Sequence, residues 1–167
     1  MKVKVEIGNI VNYNCDAIVN AANSRLMAGG GVCGAIFRAA GYEELSKECM
    51  SIGWCNTGEA VITRGYNLKA KYIIHTVGPI YNGNESSKYL KSAYYNTLRL
   101  ADEYNLKSIA IPSISTGIYG YPKNQASKIA IEEVVNFKAT SLEEIILVCF
   151  DNETYDLYME ELNGRYQ

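Results

Sequence analysis

The chain has a single histidine, His75, no two cysteines in C-x-x-C spacing, no apolar run near membrane-spanning length and no excess of basic residues. Each absence excludes something. The five cysteines are Cys15, Cys33, Cys49, Cys55 and Cys149. An odd number with one histidine argues against a zinc site or a disulfide framework, and reduced thiols fit a cytoplasmic protein. A membrane helix needs about 20 apolar residues in succession, and none are present. The start, Met1-Lys2-Val3-Lys4-Val5-Glu6, alternates polar and apolar residues where a signal peptide needs a continuous apolar stretch. Sixteen Lys+Arg against eighteen Asp+Glu leave a net charge of −2. That argues against a general nucleic-acid binder, whose affinity comes from a basic patch. A small anionic ligand stays possible, because backbone N–H groups hold phosphates without lysine.

No internal repeat, low-complexity tract or linker interrupts the 167 residues, so a single domain over residues 1–167 is expected. A chain of this size buries roughly 70% of its unfolded surface, enough for a core without staples. Its fourteen tyrosines read as core and helix-face residues with a polar tip near water. Strands and helices alternate throughout. Val3, Val5 and Ile7 alternate with polar residues as in a half-exposed strand. Ala17-Ile18-Val19 is a short apolar run suited to a strand buried on both faces. Residues 31–41 read as a helix with Val32, Ala35, Ile36 and Ala39 on one face, and 59–63 and 72–77 as β-branched strands. Ser86 or Ser87 can cap a helix carrying Leu90, Ala93, Tyr94, Thr97, Leu98 and Ala101 at helical spacing. Ile109-Ala110-Ile111 is a further strand, and a helix over about 123–137 turns Ala126, Ile129, Ala130 and Val134 inward. A strand over 145–150 and a helix beginning at Asp151 or Asn152 close the pattern, the helix burying Tyr155, Tyr158 and Leu162. The alternation predicts an α/β sheet covered on both faces, parallel in its middle.

In such sheets ligands bind where strands lead into helices. Two of those loops are unusual. One runs from Asn20 to Gly31 and ends in Gly29-Gly30-Gly31; the other is Ser113-Ile114-Ser115-Thr116-Gly117-Ile118-Tyr119-Gly120. Two glycine-containing loops at equivalent places, each aiming N–H groups above the sheet, suit a diphosphate. Gly29, Gly31 and Gly34 also satisfy G-x-G-x-x-G, but about nine residues separate them from the strand, which is not the chain's first. His75 sits inside an apolar strand as a core histidine would, so a nicotinamide-dependent dehydrogenase lacks its proton donor.

Several motifs in order resemble the macrodomain family, in its MacroD-type branch. They are Asp16-Ala17-Ile18-Val19-Asn20-Ala21-Ala22-Asn23, Gly29-Gly30-Gly31-Val32 with Arg38-Ala39-Ala40-Gly41, and Thr57-Gly58-Glu59-Ala60. His75-Thr76-Val77-Gly78-Pro79 and the run from Ile114 to Pro122 complete a match from Gly8 to about Phe150. The resemblance implies a three-layer α/β/α sandwich with a mixed, mostly parallel sheet that binds ADP-ribose. It also implies hydrolysis of mono-ADP-ribose from acidic side chains, or of O-acetyl-ADP-ribose, without metal or cofactor. ADP-ribose or ADP-ribosylated proteins would be the partners of a monomer.

Carried onto this sequence, the resemblance implies that Asn23 holds the distal ribose and that Tyr119 packs on it. Ala22, Gly30, Gly31 and Val32 would line one side of the ligand, and Ser115, Thr116, Gly117 and Ile118 would wrap the diphosphate from the other. Phe150 would stack on adenine with Asn152 beside it, and Ile10 would meet adenine through its backbone. Two positions depart from the pattern. Asn9 stands where an Asp usually accepts from the adenine amino group, so another nucleotide is an alternative ligand. Cys33 and Phe37 replace the Asp and His of hydrolytic members. Cys33 is a small buried side chain in this reading, and its neutral thiol is a poor base. A non-catalytic ADP-ribose reader is therefore the second expectation.

Overall fold

The computed structural model describes residues 1–165; Tyr166 and Gln167 of the expected domain lie outside the described residues. In chain order the elements are β1 (Lys2–Ile7), a 3-10 turn (Ile10–Asn12), β2 (Ala17–Ala21), α1 (Gly31–Ala40), α2 (Tyr42–Ile52), β3 (Ala60–Arg64) and β4 (Tyr72–Thr76). There follow α3 (Ser87–Glu103), β5 (Ser108–Pro112), α4 (Lys123–Asn136), β6 (Glu144–Cys149) and α5 (Asn152–Arg165). The strands form one sheet in the order β1-β6-β5-β2-β4-β3. Only β3 runs antiparallel, against β4.

The apolar runs explain the middle of the sheet. Ala17, Ile18 and Val19 of β2 and Ile109, Ala110 and Ile111 of β5 are fully buried, because helices cover both faces. One face packs on α3, α4 and α5 around Ile74, Leu90, Tyr94, Ile111, Leu147 and Tyr158. The other packs on α1, α2 and the 3-10 turn around Ile18, Ile36, Phe37, Leu45 and Ile73. The three-layer α/β/α arrangement is as expected, and the six residues anticipated on the inner face of α3 are the six buried there.

Four local readings need correction. The buried residues of α1 are Cys33, Gly34, Ile36, Phe37 and Ala40; of the expected Val32, Ala35, Ile36 and Ala39, Ile36 is buried and the other three are only half-buried. Both sets have helical spacing, and the large Phe37 decides which turns inward. Helix α2 was not foreseen: only Leu45 and Cys49 of it are buried, a stripe too thin to see by periodicity. Neither Ser86 nor Ser87 caps α3, since their hydroxyls donate backwards to the carbonyls of Gly83 (2.6 Å) and Asn84 (2.8 Å). Tyr94 and Tyr158 do not reach water; their hydroxyls lie 3.5 Å apart inside the core. Asp151 is the cap of α5, its Oδ1 accepting from Thr154 N at 2.8 Å. Of the residues expected inside that helix, Tyr158 and Leu162 are buried and Tyr155 packs half-buried against them.

His75 is a core histidine, with Asn20 Nδ2 3.1 Å from Nδ1 and Thr63 Oγ1 2.9 Å from Nε2. Burial lowers its pKa to about 3, so the folded protein holds it neutral. An unfolded histidine titrates near 6.5, so below that pH the unfolded chain binds a proton the folded one does not. Stability therefore falls as pH drops from about 6.5 toward 3, by up to about 1.4 kcal/mol per pH unit. Urea unfolding between pH 7.5 and 5.5 checks this: the wild type loses stability on acidification and His75→Gln has a flatter profile. Equal profiles would show that His75 is not held neutral.

Candidate functional site

Because β6, β5, β2 and β4 are adjacent and parallel, their C-terminal ends lie side by side along one edge of the sheet. Three strand spacings carry that edge across roughly 14 Å. Above it lies a cleft of about 590 Å³. Its lining follows the strand order: Phe150 and Asp151 after β6, residues 112–119 after β5, residues 21–23 and 29–33 around the first loop after β2, and Gly78 after β4. The two glycine-containing loops thus face each other across one space.

Each loop is shaped to present backbone N–H groups. Helix α1 starts at the cleft with Gly30 as a cap that offers no side-chain acceptor, and Gly31 has a positive φ of 54°. Its first N–H groups and its positive end therefore point at the cleft. Gly34 serves packing: a Cβ there would lie 2.5 Å from the Gly29 carbonyl, so the loop can fold onto the helix only over glycine. That accounts for the third glycine of the G-x-G-x-x-G string without a dinucleotide fold. In the second loop Ser115 holds a left-handed φ of 68°. Tyr94 OH anchors the loop from below by accepting from Ile114 N at 3.2 Å, and Tyr81 N donates to the Tyr119 carbonyl at 2.9 Å. Gly78 is the cradle of this loop, since a Cβ there would stand 2.2 Å from Ser115 Oγ and 2.5 Å from Ile114 Cγ2.

The macro domain family pattern matches residues 19–130. The chain belongs to the macro domain family. An uncharacterized protein of Fusobacterium nucleatum is 53% identical over 164 residues, 95% of this chain and 93% of that protein. O-acetyl-ADP-ribose deacetylase 1 of Pantoea vagans is 46% identical over 170 residues, 97% of this chain and 99% of that one. Among solved structures, a macrodomain variant of Oceanobacillus iheyensis with ADPR superposes with a TM-score of 0.91 at 38% identity, covering 97% of this chain and 92% of that one.

Most residues singled out from the sequence line the macrodomain's cleft. They are Ala22, Asn23, Gly30, Gly31, Val32, Cys33, Ser115, Thr116, Gly117, Ile118, Tyr119 and Phe150. Phe150 is 76% exposed and Ile118 99% exposed, so neither is the core residue its apolar character would suggest. Asn9, Ile10 and Asn152 do not line it. Asn9 Oδ1 accepts from Val11 N at 3.3 Å to cap the 3-10 turn, and Ile10 is buried in the core beside α1. Both still flank the Phe150 end of the cleft, since Gly8 N donates to the Cys149 carbonyl at 3.1 Å. Asn152 is turned outward; Asp151 and Thr154, one helical turn apart, face the cleft instead.

Sequence reasoning missed Lys123. Among the described residues it is the one cation lining the macrodomain's cleft, paired with Asp151 at 3.1 Å and Glu153 at 3.7 Å. The pair joins the start of α4 to the turn that carries Phe150. A lysine one residue after Pro122 at a strand–loop–helix junction was the available signal. Cys33 is 7% exposed; Asn20 Nδ2 donates to its Sγ (3.6 Å), and its thiol donates to the Met27 carbonyl (3.6 Å). Asn23 clips the same loop, Nδ2 donating to the Met27 carbonyl at 2.8 Å and Oδ1 accepting from Met27 N at 3.1 Å. Among the described residues no cluster of His, Cys, Asp or Glu has the arrangement to hold a metal ion.

The cradle makes a direct prediction. Gly78→Ala drives a methyl into Ser115 and Ile114 and costs about 1–3 kcal/mol in urea unfolding. A cost below about 0.5 kcal/mol would show that the second loop is not held there.

Proposed function

We propose that this macrodomain binds ADP-ribose and hydrolyses its esters, releasing mono-ADP-ribose from acidic side chains of proteins or deacetylating O-acetyl-ADP-ribose. The observation that carries the reading is the single cleft in which an aromatic face, two opposed N–H loops and a polar amide follow one another along the sheet edge. Adenine stacks on Phe150, the diphosphate lies between the loops, and the distal ribose reaches Asn23 and Tyr119. A diphosphate held by N–H donors needs little help from Lys123, whose charge Asp151 and Glu153 already balance. The name of the Pantoea vagans relative and the ADPR of the Oceanobacillus iheyensis structure support this reading.

In an ester of the distal ribose with a carboxyl side chain, water attacks the anomeric carbon. The bond to the carboxylate oxygen breaks, and the carboxylate leaves with the electron pair. Such a leaving group asks for little acid assistance, so fixing the ribose and excluding bulk water supply much of the rate. The water's proton needs an acceptor. The Cys33 thiol, engaged as donor to Met27, is poorly suited, and a phosphate oxygen of the substrate takes that role.

One observation favours a second reading. A cleft with a thiol where hydrolytic relatives of the MacroD type carry a carboxylate still offers every binding group, and that describes a reader of ADP-ribosylated proteins. A paired measurement on one preparation decides between them: calorimetry for ADP-ribose affinity, and release of ADP-ribose from a glutamate-modified protein for turnover. Binding with turnover is expected. Binding without turnover, restored in Cys33→Asp, establishes the reader; absence of binding overturns both.

Two substitutions test the assignment of ends. Asn23→Ala abolishes turnover while ADP-ribose affinity falls less, and Phe150→Ala weakens affinity by about 1–3 kcal/mol, the range for loss of a base–aromatic stack. Unchanged turnover in the first variant, or unchanged affinity in the second, would place the ligand differently.

A further inference from the structure

Beneath the first loop lies a row of fully buried polar side chains that the proposed reaction does not use directly. Asn20 of β2 and His75 of β4 are register partners. Thr63 of β3 stands two residues along from Val61, the register partner of His75 on its other side, and so shares their face of the sheet.

Their hydrogen bonds run in one direction. The Asn20 amide nitrogen donates to His75 Nδ1, so that ring nitrogen carries no hydrogen. The neutral ring then bears it on Nε2, which donates to Thr63 Oγ1, and the Thr63 hydroxyl donates to the Arg64 carbonyl at 3.1 Å. The second hydrogen of the Asn20 amide reaches Cys33 Sγ. With that donor on its sulfur, the thiol turns its own hydrogen to the Met27 carbonyl, the oxygen that also receives Asn23 Nδ2. An unbroken chain thus joins the edge strand to the ribose end of the cleft.

The alternative is a ring with its hydrogen on Nδ1 and a reversed Asn20 amide. In that state Oδ1 would face both His75 and Cys33, the thiol would donate to Asn20, and the Met27 carbonyl would lose one of its two donors. Thr63 selects between the two. As observed its hydroxyl both accepts and donates, whereas in the alternative it would give its hydrogen to the ring and leave the Arg64 carbonyl without it. The amide supports the same choice: within it Oδ1 alone lacks a partner as observed, and reversal would put two N–H hydrogens in that unpartnered place.

We infer that Asn20 is a positioning residue: aimed by the Nε2-protonated ring of His75, its amide turns the Cys33 thiol onto the Met27 carbonyl and so holds the loop that carries Asn23. Its effect on turnover rests on the hydrolase reading above; its effect on Cys33 does not.

The test is made at Thr63, which lies outside the cleft. Thr63→Val removes the hydroxyl at constant shape, and Thr63→Ser keeps it. Because His75 is the only histidine, long-range proton–nitrogen NMR reads its tautomer without ambiguity. The wild type and Thr63→Ser show the Nε2–H form, and Thr63→Val shifts to Nδ1–H. With that shift kcat falls about 10- to 100-fold, as for a misplaced reacting group, while the Kd for ADP-ribose stays within about twofold. Alkylation of Cys33 by iodoacetamide changes rate in Thr63→Val alone. An Nδ1–H ring in the wild type overturns the inference without any variant. So does a Thr63→Val ring that keeps Nε2–H, or a shifted ring with unchanged kcat and alkylation. If the wild type binds ADP-ribose but turns nothing over, the hydrolase reading fails by itself. The tautomer and the alkylation rate then decide the positioning role, which stands if they change together and falls if they do not.

Discussion

Parallel pairing of adjacent strands is the constraint on which the rest of this molecule depends. Each parallel pair needs a helical crossover, so helices must cover both faces, and the strands between them are mostly apolar, with the few buried polar side chains such as Asn20 and His75 paired by hydrogen bonds. The same pairing brings β6, β5, β2 and β4 to an end on one edge. Loops leaving that edge begin inside the fold and end at helix starts, where N–H groups have no intrahelical partner. A cleft rich in backbone donors follows from topology before any side chain is considered.

Side chains then refine what the topology supplies. Gly34 and Gly78 are empty spaces into which the Gly29 carbonyl and Ser115 fit, so each loop takes its shape from a glycine elsewhere. Tyr94 reaches from α3 to hold the second loop, and Asn23 with Cys33 holds the first through a single carbonyl. The Lys123–Asp151 pair ties down the turn that presents Phe150. In this arrangement a thiol at position 33 belongs to the scaffold of the site, held between the Asn20 amide and the Met27 carbonyl.

Much of this was legible beforehand. Apolar runs such as Ala17-Ile18-Val19 announce strands covered on both sides, and the stripe from Leu90 to Ala101 announces a helix and its inner face. Helix α2 was not visible because two buried residues in eleven make no periodicity. The face of α1 was misread by one residue because two overlapping sets satisfy the same spacing. At the site, the two loops were legible from composition and order, and Phe150 through the family resemblance alone. Lys123, Asp151 and Thr154 were not, because their place on the cleft depends on how α4 and α5 start relative to each other.

By itself the sequence determined the alternation of elements, the burial of the central strands and the two glycine-containing turns, all properties set by neighbours within a few residues. Only the tertiary structure decided which loops face one another and that Asn9 caps a turn outside the cleft. It alone joined Thr63, His75, Asn20 and Cys33 into one hydrogen-bonded row. The reason is register: Asn20 and His75 lie 55 residues apart in the chain and become neighbours only when β2 pairs with β4.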